Sequence, residues 1–282
     1  MSQEPPFPSI AIVGLGLIGG SIALGVRERW PQSRVIGVDS ESVLAHALGS
    51  GAIERGVDSV AALPETSLII LAAPVRQNIE LLQQINRPAI VTDVGGTKRD
   101  IVNAARALPA TTTFVGGHPL GGGERGGFAF ARPDLFAGRP WILTPDGNGS
   151  ADAVERLSRF VTGLGARPSI LSADDHDRVM AFVSHLPQLA ASALMDTVGS
   201  AAQGEGLRMA GRGLVDSTRL ASSPADVWRD ICLTNADSIA DALDCLIARL
   251  TQLRGDLRRG DAVEAIFSAA AKWRAELMKD NH

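Results

Sequence analysis

Residues 10–21 read IAIVGLGLIGGS, an apolar run of strand type followed by Gly14-x-Gly16-x-x-Gly19 at the start of a helical pattern. Each glycine has a mechanical task in such a junction. Gly14 makes the tight turn, Gly16 lets backbone approach a pyrophosphate, and Gly19 allows the helix to pack closely on the strand. Leu15, Leu17 and Ile18 fill the positions between, so their backbone belongs to the anion-holding helix start. Asp39 ends the next apolar run twenty positions past Gly19, where an acidic side chain bonds ribose hydroxyls and repels a 2'-phosphate. No arginine follows it in VDSES, residues 38–42. The pattern is that of a dinucleotide site favouring NAD over NADP. Ala72, Ala73 and Pro74 close a later strand, where small residues leave room for a cofactor, although Pro74 equally suits a helix start.

Around this stretch the first 172 residues alternate β-type runs with helical ones. Ser9 to Val13, Arg34 to Val38, Leu68 to Ala73, Ala89 to Asp93 and Thr113 to Gly117 read as strands buried on both faces. Trp141 to Thr144 and Ser169 to Leu171 read as two more, with a helix over Ala151 to Leu164 between them. Strand then helix, repeated, predicts a Rossmann-type doubly wound, mainly parallel sheet. From Ala173 the β-type runs stop. Ser184 to Gly199, Asp226 to Gln252 and Asp261 to Lys279 carry apolar residues at helical spacing, which predicts an all-helical second half. The expected domains are therefore 1–172, binding the nucleotide, and 173–282, helical.

Composition narrows the partners. The 282 residues are 45% hydrophobic and 21% charged, with a formal net charge of -4. Basic residues do not cluster, which argues against nucleic acid or an anionic membrane as partner. The longest apolar runs are too short to span a bilayer, and MSQEPPFPS at the start lacks the features of a signal peptide, so a cytoplasmic protein is expected. Cys232 and Cys245 have no metal-ligand spacing, and no metal site is expected.

Residues 116–127, GGHPLGGGERGG, place His118 in a glycine-dense loop. Imidazole titrates near neutral pH, so a histidine held beside a bound oxidant can take a proton while hydride leaves the same carbon. A turn with an incidental histidine is the other reading of that loop. His176 and His185 are nine apart, a spacing that does not suit a shared metal. His176 reads as a helix-cap or structural histidine; for His185 a role beside the substrate and a hydrogen-bonded structural role stand level.

Taken together, GGHPLGGGE, HDRVMAFVSHLPQ (176–188) and GLVDSTRLASSPADVWRDI (213–231), following the fingerprint, resemble the prephenate and arogenate dehydrogenases of tyrosine biosynthesis. The resemblance spans about residues 9 to 250. It implies hydride transfer from ring C4 of a cyclohexadiene to NAD, with His118 as base and loss of CO2 from C1. It also implies that Arg219 clamps the ring carboxylate, where a planar fork suits a planar anion, and that a homodimer forms through the helical domain. No chorismate mutase segment is expected before this unit and no ACT-type segment after it. Asp216, Trp228, Arg229 and Asp230 are expected to brace the Arg219 segment.

Four positions depart from what that family commonly carries. Gly96 stands in place of a serine, with Thr97 as a possible substitute; Gly123 replaces a threonine or serine, Gln188 a histidine, and Val215 a lysine or arginine. Gln188 is still able to donate to a carboxylate or keto group. These changes make the pocket less cationic, so arogenate and the 4-amino analogue of prephenate compete with prephenate as substrate. A non-catalytic NAD sensor is a further alternative. The β-hydroxyacid dehydrogenases share the architecture but use a helix lysine, and residues 173–271 hold none.

Overall fold

The computed structural model describes residues 4–123, 125–146 and 151–279. Its strands are β1 (Ser9–Val13), β2 (Arg34–Val38), β3 (Arg55–Val57), β4 (Leu68–Leu71), β5 (Ala89–Asp93), β6 (Thr112–Pro119), β7 (Pro140–Pro145) and β8 (Arg167–Ile170). They form one sheet in the order β3-β2-β1-β4-β5-β6-β7-β8. All neighbours pair in parallel except β6 with β7. Helices α1 (Leu17–Arg29), α2 (Glu41–Gly49), α3 (Val75–Leu82), α4 (Arg99–Ala105) and α5 (Ala151–Gly163) connect the strands. The chain leaves β1 toward β2 and later returns to β4 on β1's other side. Strand order thus reverses between β1 and β4, the place where open α/β sheets bind ligands.

Alternation along β1 explains why the sheet is wrapped on both sides. Ile10 and Ile12 enter one apolar core with Ile22, Leu68 and Phe160. Ala11 and Val13 enter the other with Ile36, Ile69 and Ile101. Every residue of β1 and β4 is buried, as in strands covered on both faces.

After β8 the described chain is helical: α6 (Ala173–Met180), a π-turn over Ala181–His185, α7 (Leu186–Leu207), α8 (Arg212–Ser217), a short turn over Arg219–Ser222, α9 (Ala225–Thr234), α10 (Ala236–Asp256) and α11 (Asp261–Lys279). Two compact units result, Met1–Ala236 and Asp237–His282. The end of the last strand, Ile170, falls inside the first unit.

Three expectations need correction. His118 lies within β6, opposite Ile142 of β7, and not in a loop: antiparallel pairing with β7 carries the strand on to Pro119. The helix expected over Asp226 to Gln252 breaks at Asn235, with φ −142°, where the side chain is buried and bonds elsewhere. Strand β3, too short to display a period, was not expected at all.

Candidate active site

The fingerprint has the geometry its glycines imply. Gly14 has φ +93°, and a Cβ there would lie 2.8 Å from the Ala72 backbone. A Cβ on Gly16 would meet nothing within 4 Å, so the chain is open where a pyrophosphate approaches. The first turn of α1 offers N–H groups that lack intrahelical acceptors. Asp39 accepts from the Leu15 N–H at 2.7 Å through Oδ2 and so fixes the loop from the end of β2. Ala72 and Ala73 are half-buried beside this turn. Asn78, which sequence reading missed, clamps them: buried on α3, it accepts from the Ala73 N–H and donates to the Leu71 carbonyl. These features fit a dinucleotide phosphate.

A cavity of about 450 Å³ joins this turn to His118. Ile18 of α1, Val94 after β5, His118 to Gly122, and Met180, Val183 and Ser184 line it. The helix wall of the cavity is the π-turn. Pro187 brings no N–H and its ring displaces the carbonyl four residues back, and the Leu186 N–H reaches Ala181, five back. A π-turn of this kind widens the helix locally.

His118 is held from behind. Its Nδ1 lies 2.8 Å from His176 Nε2, and His176 Nδ1 lies 2.8 Å from Asp177 Oδ1. Asp177 is wholly buried and also accepts the Lys98 N–H at 2.7 Å and the Arg99 N–H at 2.9 Å. His176 is therefore not the helix cap: Ser172 caps α6 by accepting from the Asp175 N–H. Burial, with the neighbouring His176, Lys98 and His185, holds His118 well below the ordinary histidine range. Burial also lowers His176, against the opposing pull of Asp177. For Asp177 burial acts upward but is outweighed by the bonds from His176, Arg99 and Lys98, so its carboxyl lies below the usual range. The site at rest thus holds neutral imidazoles on a carboxylate.

Asp93, at the end of β5, sets the strand ends that carry this array. Wholly buried, it accepts the Gly95 and Gly117 N–H groups and pairs with the buried Lys98 ammonium. Sequence reading misses the roles of both Asp93 and Asp177, although Asp177 stands in the HDRVMAFVSHLPQ stretch.

The remaining candidates fall elsewhere. The Thr97 hydroxyl lies 2.7 Å from that of Thr234, and among the described residues no hydrogen bond joins it to His118. A Cβ on Gly96 would sit 3.9 Å from His118 Nε2, so the position faces the imidazole but brings no side chain. Gln188 donates to the Leu220 carbonyl and accepts from the Ser223 hydroxyl, and so anchors the turn over Arg219–Ser222. His185 is buried, with Nδ1 3.3 Å from Asn235 Nδ2 and its ring edge-on to Trp228, and burial lowers it to about 4. Arg219 is exposed and does not line the cavity; among the described residues it meets no carboxylate. Asp230 accepts from the Arg76 N–H and ties α9 to α3. Val215 is exposed, and Gly123 lies against Leu17 of the fingerprint. Glu124, in the same motif, is outside the described residues. Among the described residues no cluster of His, Cys, Asp or Glu is placed to hold a metal, and no helix is long and apolar enough to cross a membrane.

Comparison with known proteins gives one answer over the length of the chain. Residues 22–170 match the family described as prephenate dehydrogenase, nucleotide-binding domain, and residues 172–268 match prephenate dehydrogenase, dimerization domain. Prephenate dehydrogenase of Bacillus subtilis is 37% identical over 264 residues, covering 90% of this chain and 71% of that protein. Cyclohexadienyl dehydrogenase of Zymomonas mobilis is 31% identical and covers 98% of each. The crystal structure of the A. aeolicus prephenate dehydrogenase in complex with hydroxyphenyl propionate and NAD+ superposes with a TM-score of 0.88 at 30% identity, covering 96% of this chain and 97% of that one.

Proposed function

The chain belongs to the prephenate dehydrogenase family, and on that premise we propose that it oxidises and decarboxylates prephenate to 4-hydroxyphenylpyruvate, with NAD as oxidant and His118 as base. The observation that carries this reading is that one cavity is lined by both His118 and Ile18 of the fingerprint helix. The fingerprint turn and the start of α1 would hold NAD, which would supply the acceptor for the hydride of ring C4. His118 takes the C4 hydroxyl proton as the carbon becomes a carbonyl. Loss of CO2 from C1 then leaves its electron pair in the ring, which becomes aromatic, and the proton returns to the phenolic oxygen. A positioned base of this kind contributes about 100- to 10,000-fold.

Arg219, exposed on the segment that Gln188 anchors and outside the lining of this cavity, is the cation that the family resemblance assigns to the ring carboxylate. The nucleotide-binding role is assigned to residues 1–172 and the substrate and dimer role to 173–282. Prephenate, arogenate and the 4-amino analogue, each offered with NAD and with NADP, test the substrate. Turnover of prephenate with NAD supports the reading, and turnover of only one of the other two overturns it. His118→Asn should lower kcat by at least about 100-fold with NAD affinity unchanged; a protein without turnover in any arm would be a sensor.

A further inference from the structure

We propose that Asp177 and His176 fix the tautomer of His118 and thereby hold the Nε2 lone pair of the base in readiness, acting as positioning residues for the reaction. The inference rests on the assignment of His118 as base. An ionised carboxylate only accepts hydrogen bonds. Asp177 meets three donors, the N–H groups of Lys98 and Arg99 and the ring of His176. The proton in the 2.8 Å contact between Asp177 and His176 therefore sits on His176 Nδ1. A neutral imidazole so protonated has its lone pair on Nε2, the atom 2.8 Å from His118 Nδ1. His118 must then donate from Nδ1, which leaves its own lone pair on Nε2.

That nitrogen lies on the side of Gly96, which brings no side-chain hydroxyl to orient it. Orientation comes from the opposite edge of the ring. The supporting pair is placed by α6, whose residues 176 and 177 are wholly buried, and by Asn235, which donates to the Asp177 carbonyl at 2.8 Å. The other charged or titratable groups facing the array are Lys98, paired with Asp93, and His185 of the π-turn. In the reaction one proton moves, from the C4 hydroxyl to His118 Nε2. The protons on His118 Nδ1 and His176 Nδ1 stay in place, and the resulting imidazolium is stabilised through His176 by the Asp177 carboxylate, while hydride and CO2 leave as already described.

Five histidines make the state readable by nitrogen-15 NMR of the labelled full chain, each signal being assigned by its loss in a single variant. At neutral pH, with and without NAD, His118 should be protonated at Nδ1 only. His176→Phe removes the acceptor: both His118 tautomers should appear, and kcat should fall about 10- to 100-fold, part of what a positioned base contributes, with substrate KM and NAD affinity within about twofold. His176→Gln supplies an amide oxygen able to accept from His118 in place of Nε2, while its NH2 can donate to Asp177, and should restore the single tautomer and most of the lost kcat. A wild-type His118 protonated at Nε2, or a His176→Phe protein with tautomer and kcat unchanged, overturns the proposal. Full turnover in His118→Asn would instead remove the base assignment, and leave the tautomer to be decided by NMR alone.

Discussion

At the scale of single residues, the site is a set of imidazoles kept neutral by burial, and this has a cost in acid. His118, His176 and His185 are all held below the ordinary histidine value of 6.5, burial being the first cause in each case. The unfolded chain takes up protons on these rings at a pH where the folded one does not. Stability is therefore full above pH 6.5 and is lost as pH falls toward about 4, the value for His185. His185 alone should cost about 2 kcal/mol between pH 7 and pH 5, measured as the unfolding free energy in urea at the two values; a flat profile would contradict the burial. The lowered carboxyl of Asp177 acts in the same direction at still lower pH. Gly96 makes the opposite kind of prediction. A Cβ there would find only ordinary contacts, 3.7 Å from Ile231 and 3.9 Å from His118 Nε2, and its φ is not in the left-handed region. Gly96→Ala should stabilise the protein by about 0.4 to 1 kcal/mol through the unfolded state, read from the same urea titration, and a loss of stability would mean that the space beside the imidazole is smaller than described.

At the scale of elements, the joint between β5, α4 and β6 decides where the base stands. The buried Asp93–Lys98 pair closes the VGGTK turn, and Asp93 also holds the Gly117 N–H one residue before His118. Removing one partner leaves an uncompensated charge in the interior. Lys98→Met should therefore destabilise by about 3 to 5 kcal/mol, measured as a shift in denaturant midpoint, and a shift below about 1 kcal/mol would show that water reaches Asp93. Elements with a strong period were legible before any coordinates: β1, β2 and β5 have the bounds expected from their apolar runs, and α11 spans Asp261–Lys279 as its spacing implied. What escaped was decided by tertiary partners. His118 and Pro119 read as part of a glycine-dense loop, yet β7 pairs with them and makes them strand. Asn235 carries no helix-breaking signal strong enough to see, but its side chain bonds the Asp177 carbonyl and His185, and the helix gives way. The fingerprint and His118 were readable from local pattern; the Asp177–His176 support was not, because it joins α6 to β6 across 58 residues of sequence.

At the scale of the molecule, the helical half leaves more apolar surface in water than one chain can cover. None of the residues of α11 is buried. Phe267 and Trp273 on that helix are 68% and 67% exposed, and Ile247 and Leu250 on α10 are more than half exposed. Exposed apolar faces of this extent mark interaction surfaces, and a unit as short as Asp237–His282 does not enclose a core by itself. The match of residues 172–268 to a dimerization domain takes in α10 and Phe267 and supports a second copy of the chain as the partner for this surface. Obligate interfaces of this type resemble a core cut in half, so charge placed within one should separate the protomers. Light scattering at micromolar concentration should give the mass of a dimer for the wild type. Phe267→Asp combined with Trp273→Asp should shift it toward the monomer, while NAD binding, which depends on the fingerprint in the other unit, stays within about twofold. A monomeric wild type would leave those faces without an explanation and would overturn the homodimer assignment.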